Sequence, residues 1–161
     1  MNHFIREIQE NDNAAVAAII RSVLEEHGIN KPGTAYYDDS LQYMSGFYCT
    51  PRSTYLVGMD GDTIVGGAGV YPTAGLPDGT SELVKMYLLP EARGKGWGKA
   101  LIGKCIAFAR EKGYTSMYLE TMPELEAAVQ IYQRMGFTLL PHALGRSGHY
   151  FCTIHMIKEI G

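Results

Sequence analysis

Charge and cysteine are both sparse in this chain. Charged side chains make up 19% of its 161 residues and the net charge is −3. No overall basic character therefore points to nucleic acid or an anionic membrane as a partner. The three cysteines, Cys49, Cys105 and Cys152, lie far apart and form no CxxC pair. Their spacing supports neither a zinc knuckle nor a disulfide framework, and no metal is expected. No apolar run approaches the ~20 residues that span a bilayer, and the opening residues 1–7 show no signal-peptide core. A cytoplasmic protein with reduced thiols is the expectation. Repeats, low-complexity tracts and linkers are also missing, so residues 1–161 are expected to form one domain with a real core.

What is present is concentrated between residues 81 and 101. An apolar run, 81–89, is followed by Pro90, then by Arg93-Gly94-Lys95-Gly96-Trp97-Gly98-Lys99, then by an amphipathic pattern to Lys112. This reads as a buried strand, a glycine-rich turn and a helix. Three glycines in five positions let the backbone approach a ligand closely. The helix start exposes N–H groups and the positive end of its dipole, and Arg93, Lys95 and Lys99 add charge. Such a turn suits an anion, above all a phosphate.

The flanking pattern gives a strand at 3–8, then a helix capped by Asn11 or Asp12 with Val16, Ile19, Ile20, Val23 and Leu24 on one face. A second, short helix is expected from Asp38 or Asp39 to about Tyr48. Two apolar runs, 53–59 and 63–71, meet at Asp60-Gly61-Asp62, a hairpin signal. The three glycines of the second run suit a bulge or a close backbone approach. After the helix ending at Gly113 come a strand at 114–120, a helix opened by a Thr121–Glu124 capping box with Pro123, and strands at 137–140 and 149–158. Strand, helix, strand implies a parallel pair, with ligands beyond the strands' carboxyl ends. Lys85 is expected to be a packing stem with an exposed head. The scattered His142, His149 and His155 receive no role, and Cys105 reads as a packed thiol.

Three phosphate motifs compete for the turn. A P-loop needs one more residue between Gly94 and Gly98-Lys99, and Ala100 offers no hydroxyl for Mg²⁺. A dinucleotide fingerprint needs its third glycine one residue later than Gly98. The pattern Arg/Gln-x-x-Gly-x-Gly/Ala is met in full by Arg93, Gly96 and Gly98.

That pattern resembles the GNAT superfamily of acetyl-CoA-dependent N-acetyltransferases. The likeness extends to residues 82–90, which look like the family's fourth strand and its following Pro. It extends also to residues 128–137, which look like its fourth helix and the Gly-Phe that opens the next strand. The resemblance implies an α/β (α+β mixed-sheet) fold: a mixed sheet of about seven strands, a βαβ cofactor core and about four helices. It implies acetyl-CoA as co-substrate, its pyrophosphate on Gly94, Lys95, Gly96, Trp97, Gly98 and Lys99 beside Arg93, and its pantetheine arm along Met86, Tyr87 and Leu88. Tyr132 matches the tyrosine that serves the coenzyme A sulfur. A backbone N–H near Met86–Leu88 would serve the oxyanion.

Two residues match bases used by different branches of the family, Glu82 and Glu120. Glu82 lies six residues before Leu88, about 20 Å along a strand, and alternation places it on the face of Val84, Met86 and Leu88. Glu120 ends the neighbouring strand. The sequence departs from the family at Leu125, where many members carry an Asn that contacts the cofactor. The implied reaction is direct attack by a primary amine on acetyl-CoA in a ternary complex. The acceptor is expected to be a small molecule, since no extended acidic tract suits a basic protein tail. A non-catalytic acyl-CoA sensor and a protein acetyltransferase stay open, as does a homodimer.

Overall fold

In a computed structural model, which describes residues 2–161, the chain forms a seven-stranded sheet flanked by four α-helices. Strands β1 (His3–Glu7), β2 (Thr54–Asp60), β3 (Thr63–Tyr71) and β4 (Thr80–Leu88) run as an antiparallel meander. Helix α3 (Trp97–Glu111) carries the chain to β5 (Ser116–Thr121), which lies parallel to β4. Then β7 (Ile154–Glu159) pairs antiparallel with β5, and β6 (Thr138–Leu140) with β7, giving the order β1-β2-β3-β4-β5-β7-β6. Helices α1 (Asn13–Glu26), α2 (Met44–Phe47) and α4 (Glu126–Arg134) complete the set. Among the described residues no helix is long and apolar enough to cross a membrane.

The alternation of each strand divides the core into two layers. One packs Leu101, Ile102, Cys105 and Ala109 of α3, with Tyr132 of α4, against Leu83, Met86, Leu88, Met117, Leu119 and Met156. The other packs Val16, Ile20 and Leu24 of α1 with Leu41, Met44 and Tyr48 against Tyr55, Val57 and Val84. The helical spacing at 16–24 is therefore the inward face of α1, as expected.

The glycines of β3 serve close packing. A Cβ on Gly66 would sit 2.4 Å from the Tyr87 carbonyl oxygen, and one on Gly67 2.5 Å from the Tyr55 ring. The ladder with β4 also slips here: Gly67 faces Tyr87 and Gly69 faces Val84. Lys85 and Met86 together oppose Ala68. This is a β-bulge, and Lys85 holds φ +51°, rare outside glycine.

Four local expectations are corrected. Asp12 precedes α1, but its carboxylate accepts from Arg6 and from the Gln9 N–H at 2.7 Å, so it closes the turn before the helix rather than capping it. The helix expected over 38–48 is broken at Tyr43 (φ −146°, ψ 49°) into a 3-10 turn, Asp39–Gln42, and the single turn of α2. The Thr121–Glu124 capping box does not form: Thr121 is a buried end residue of β5, and a 3-10 turn, Pro123–Leu125, precedes α4. The last strand starts at Ile154, not His149, and the preceding loop covers one end of the sheet.

Candidate active site

The parallel pairing of β4 with β5 is short. It runs from Thr80↔Ser116 to Glu82↔Tyr118 and stops. Beyond Glu82 the two strands part, and the outer half of β4 loses its neighbour on that side. A cavity of about 240 Å³ lies along this outer half, lined by Met86, Tyr87, Leu88, Arg93 and Gly94 on one wall and by Leu125, Ala128 and Ile131 on the other. Leu125 gives this wall an apolar surface where an Asn amide would have been polar.

The glycine turn sits at the end of that groove. Gly94 and Gly96 hold φ of +74° and +88°, and Gly96 is the residue from which α3 starts. Gly98 lets α3 and α4 approach: a Cβ there would lie 3.1 Å from Ile131 Cδ1. Lys95 and Lys99 are exposed. Trp97 is buried in the core, tilted against His3 with ring centroids 5.2 Å apart, so only its backbone is available to a ligand. Arg93 lines the groove and is itself held in place. Its guanidinium donates to the Leu88 carbonyl at 3.0 Å and forms a two-point ion pair with Glu26 at 2.8 and 2.9 Å. It braces the turn against the end of β4 and the end of α1. Lys95, Lys99 and the helix N–H groups are left to meet an anion.

Tyr132 is 6% exposed and packs edge-on against Phe137. Burial pushes its hydroxyl pKa well above the ordinary range. The hydroxyl makes no hydrogen bond to another described residue, and Tyr132 packs in the α3 layer behind the groove rather than among the residues that line it.

Glu82 and Glu120 are brought onto one face. Glu82 stands opposite Tyr118, and Tyr118 and Glu120 alternate onto the same side of β5. Glu82 is 3% exposed, and its carboxylate accepts from the Thr73 hydroxyl. Burial pushes its pKa up to about 7, and the charge of Glu120 adds to the rise; the Thr73 hydrogen bond, His149 and Lys85 act against it. Glu120 accepts from the Tyr118 hydroxyl at 2.6 Å and from Ser147. The expectation that Glu82 shares a face with Met86 and Leu88 is overturned by the bulge. Val84 packs in the α1 layer, Met86 and Leu88 in the α3 layer.

Lys85 also departs from expectation. Its head is buried, 2.8 Å from Asp38 and 3.0 Å from the Tyr48 hydroxyl. Asp38 in turn accepts from His149 Nε2 at 2.9 Å. Burial alone would raise the Asp38 pKa, but the His149 hydrogen bond and the Lys85 charge outweigh it and hold it below the usual range. Lys85 is desolvated too, yet Tyr48 and Asp38 raise its pKa, so the pair stays ionised. The signal for this cluster lay in the sequence: one lysine inside an apolar buried strand requires a buried partner. Nothing local identified Asp38 and Tyr48 as those partners. Among the described residues no group of three or more His, Cys, Asp or Glu is placed to hold a metal.

The arrangement matches known proteins at several levels. Residues 16–137 match the acetyltransferase (GNAT) family. The uncharacterized N-acetyltransferase YjgM of Escherichia coli K12 is 36% identical over 97% of this chain and 94% of its own length. A GNAT-family acetyltransferase from Staphylococcus aureus Mu50 superposes with a TM-score of 0.87 at 20% identity, covering 99% of this chain and all of its own. The acetyltransferase yncA of Salmonella typhimurium, solved with acetyl-CoA, superposes at 0.76 with 21% identity over this whole chain and 95% of its own. The parted strands, the glycine turn and these likenesses agree, and the chain belongs to the GNAT family of acetyltransferases.

Proposed function

We propose that the protein transfers acetyl from acetyl-CoA to a primary amine on a small molecule, by direct attack in a ternary complex. The observation that carries this reading is the parting of β4 and β5 beyond Glu82. It leaves a strand edge for an extended pantetheine arm along Met86, Tyr87 and Leu88, and it sets a neutralisable carboxyl at the apex. The turn from Gly94 to Lys99 would take the pyrophosphate through backbone N–H groups. That the Salmonella relative was solved with acetyl-CoA supports the choice of cofactor.

An amine of pKa ~10 arrives protonated and must lose a proton before it attacks. A carboxyl poised at about 7 suits that task better than an ordinary glutamate, so Glu82 takes the proton, directly or through water. The amine nitrogen then bonds to the thioester carbon, and a β4 N–H near Met86–Leu88 stabilises the oxyanion. As the carbon–sulfur bond breaks, the second amine proton passes to the sulfur. Tyr132 keeps its own proton because burial makes it a weak acid. It serves as a hydrogen-bond donor to the departing thiolate, not as the proton source. Glu120, on the same sheet face as Glu82, would hold the incoming ammonium.

Thiol release from acetyl-CoA, measured across a panel of amines, tests the reading. Release with at least one small amine is expected. Tight acetyl-CoA binding without release for any amine would leave an acyl-CoA sensor instead.

A further inference from the structure

The loop between β6 and β7 folds over the carboxyl end of β5 and shapes an open cleft of about 490 Å³. Glu120, Arg146, His149, Cys152 and His155 line it. Cys152 packs in the same apolar cluster as Tyr87, which lines the cofactor groove. Glu120 lines this cleft and shares a sheet face with Glu82 beside the parted strands, so this cleft is where an acceptor would wait.

Its charges have opposite signs and different states. Glu120 is already hydrogen-bonded by Tyr118 and Ser147, but each carboxylate oxygen keeps a further lone pair for an ammonium. Arg146 has no carboxylate within ion-pair distance among the described residues. Its position is nevertheless defined. Its backbone N–H donates to the Ala74 carbonyl at 2.7 Å, and its guanidinium lies over Gly75, where a Cβ would come within 2.8 Å of Nη1. A guanidinium fork without an acid, at the rim of a cleft whose wall carries a carboxylate, fits a zwitterion. It does not fit a polyamine, whose second ammonium would be pushed against it.

We infer that the acceptor carries a carboxylate beside its amine, a small amino acid or amino-acid derivative, with Arg146 binding the carboxylate and Glu120 the ammonium. The inference rests on the acetyl-transfer reading. It assigns to Arg146 a role in specificity.

The test compares α-amino acids with their amides, which keep the amine and side chain but lose the carboxylate. Thiol release from acetyl-CoA is measured with the full-length protein and with Arg146→Ala and Arg146→Lys. The acid-to-amide ratio of kcat/KM should fall about 10- to 100-fold in Arg146→Ala, the loss of a charge-assisted pair. Arg146→Lys, which keeps the charge but loses the fork, should fall between. Differences in amine basicity cancel when the two ratios are compared. An unchanged ratio in Arg146→Ala, or a native preference for amides, polyamines or lysine peptides, overturns the inference and leaves acetyl transfer standing. No release with any amine overturns both.

Discussion

The two sides of the parted strands are built by different means. The proposed cofactor side is local: a strand end, a turn and a helix start, contiguous from Met86 to Lys99, offering backbone groups. The proposed acceptor side is assembled from distant side chains. His149 reaches Asp38 across 111 positions, and Lys85 reaches Tyr48 across 37. A site made of backbone is robust to side-chain change but sensitive to backbone conformation. A site made of buried charges couples chemistry to stability, because each group removed leaves its partner uncompensated.

Removing chemistry from the acceptor side should have the largest effect. Glu82→Gln is expected to lower kcat/KM by roughly 10²- to 10⁴-fold, the range of a lost general base, read by thiol release at saturating acetyl-CoA. Lys85→Ala should cost about 3–5 kcal/mol in urea unfolding, since Asp38 and Tyr48 lose their buried cation. Removing Asp38 as well should recover part of that loss. Glu82 also gives the fold a pH dependence. It binds its proton more tightly folded (about 7) than unfolded (ordinary value 4.5). Its contribution to stability is therefore full below about pH 4.5 and lost as pH rises through about 7, a change of roughly 3 kcal/mol. Denaturation of Glu82→Gln across that window should show a much flatter curve than the native protein.

The cofactor side should respond more mildly. Tyr132→Phe is expected to lower kcat about tenfold or more, the value of one hydrogen bond to a developing thiolate. Calorimetry should find acetyl-CoA affinity nearly unchanged, and an unchanged kcat would remove Tyr132 from the chemistry. Gly96→Ala forces a side chain into φ +88° at about 1–2 kcal/mol. It should weaken acetyl-CoA binding up to about tenfold while leaving acceptor KM alone. If Gly96→Ala proves as damaging as Lys85→Ala, the contrast between the two sides fails.

The same contrast explains what the sequence disclosed. The order of strands, the hairpin at Gly61 and the inward face of α1 follow from period and turn chemistry, which are local. The glycine turn was legible because a run of glycines and lysines after an apolar strand has few other uses. Lys85 was misjudged because alternation cannot register one added residue, and the bulge lies inside a run with no glycine of its own. Asp38 looked like a helix cap and His149 like a strand start. Their partnership depends on two loops meeting, which no period encodes. Arg93 satisfied the motif, but its ion pair with Glu26 depends on where α1 ends in space.

The slip at Lys85 also changes how β4 is addressed. In an uninterrupted strand, parity is destiny: even positions see one layer and odd positions the other. Here even parity points to the α1 layer through Val84 and to the α3 layer from Met86 onward. One strand thereby sends Val84 to one layer and, from two residues later, Met86 and Leu88 to the other. Deleting a single residue between Leu83 and Met86 would restore uniform alternation and leave the tip facing as it does, because Tyr87 already stands opposite Gly67 and Val84 opposite Gly69. The bulge absorbs one residue, Lys85, and makes it the buried partner of Asp38, while the strand on either side keeps its pairing with β3.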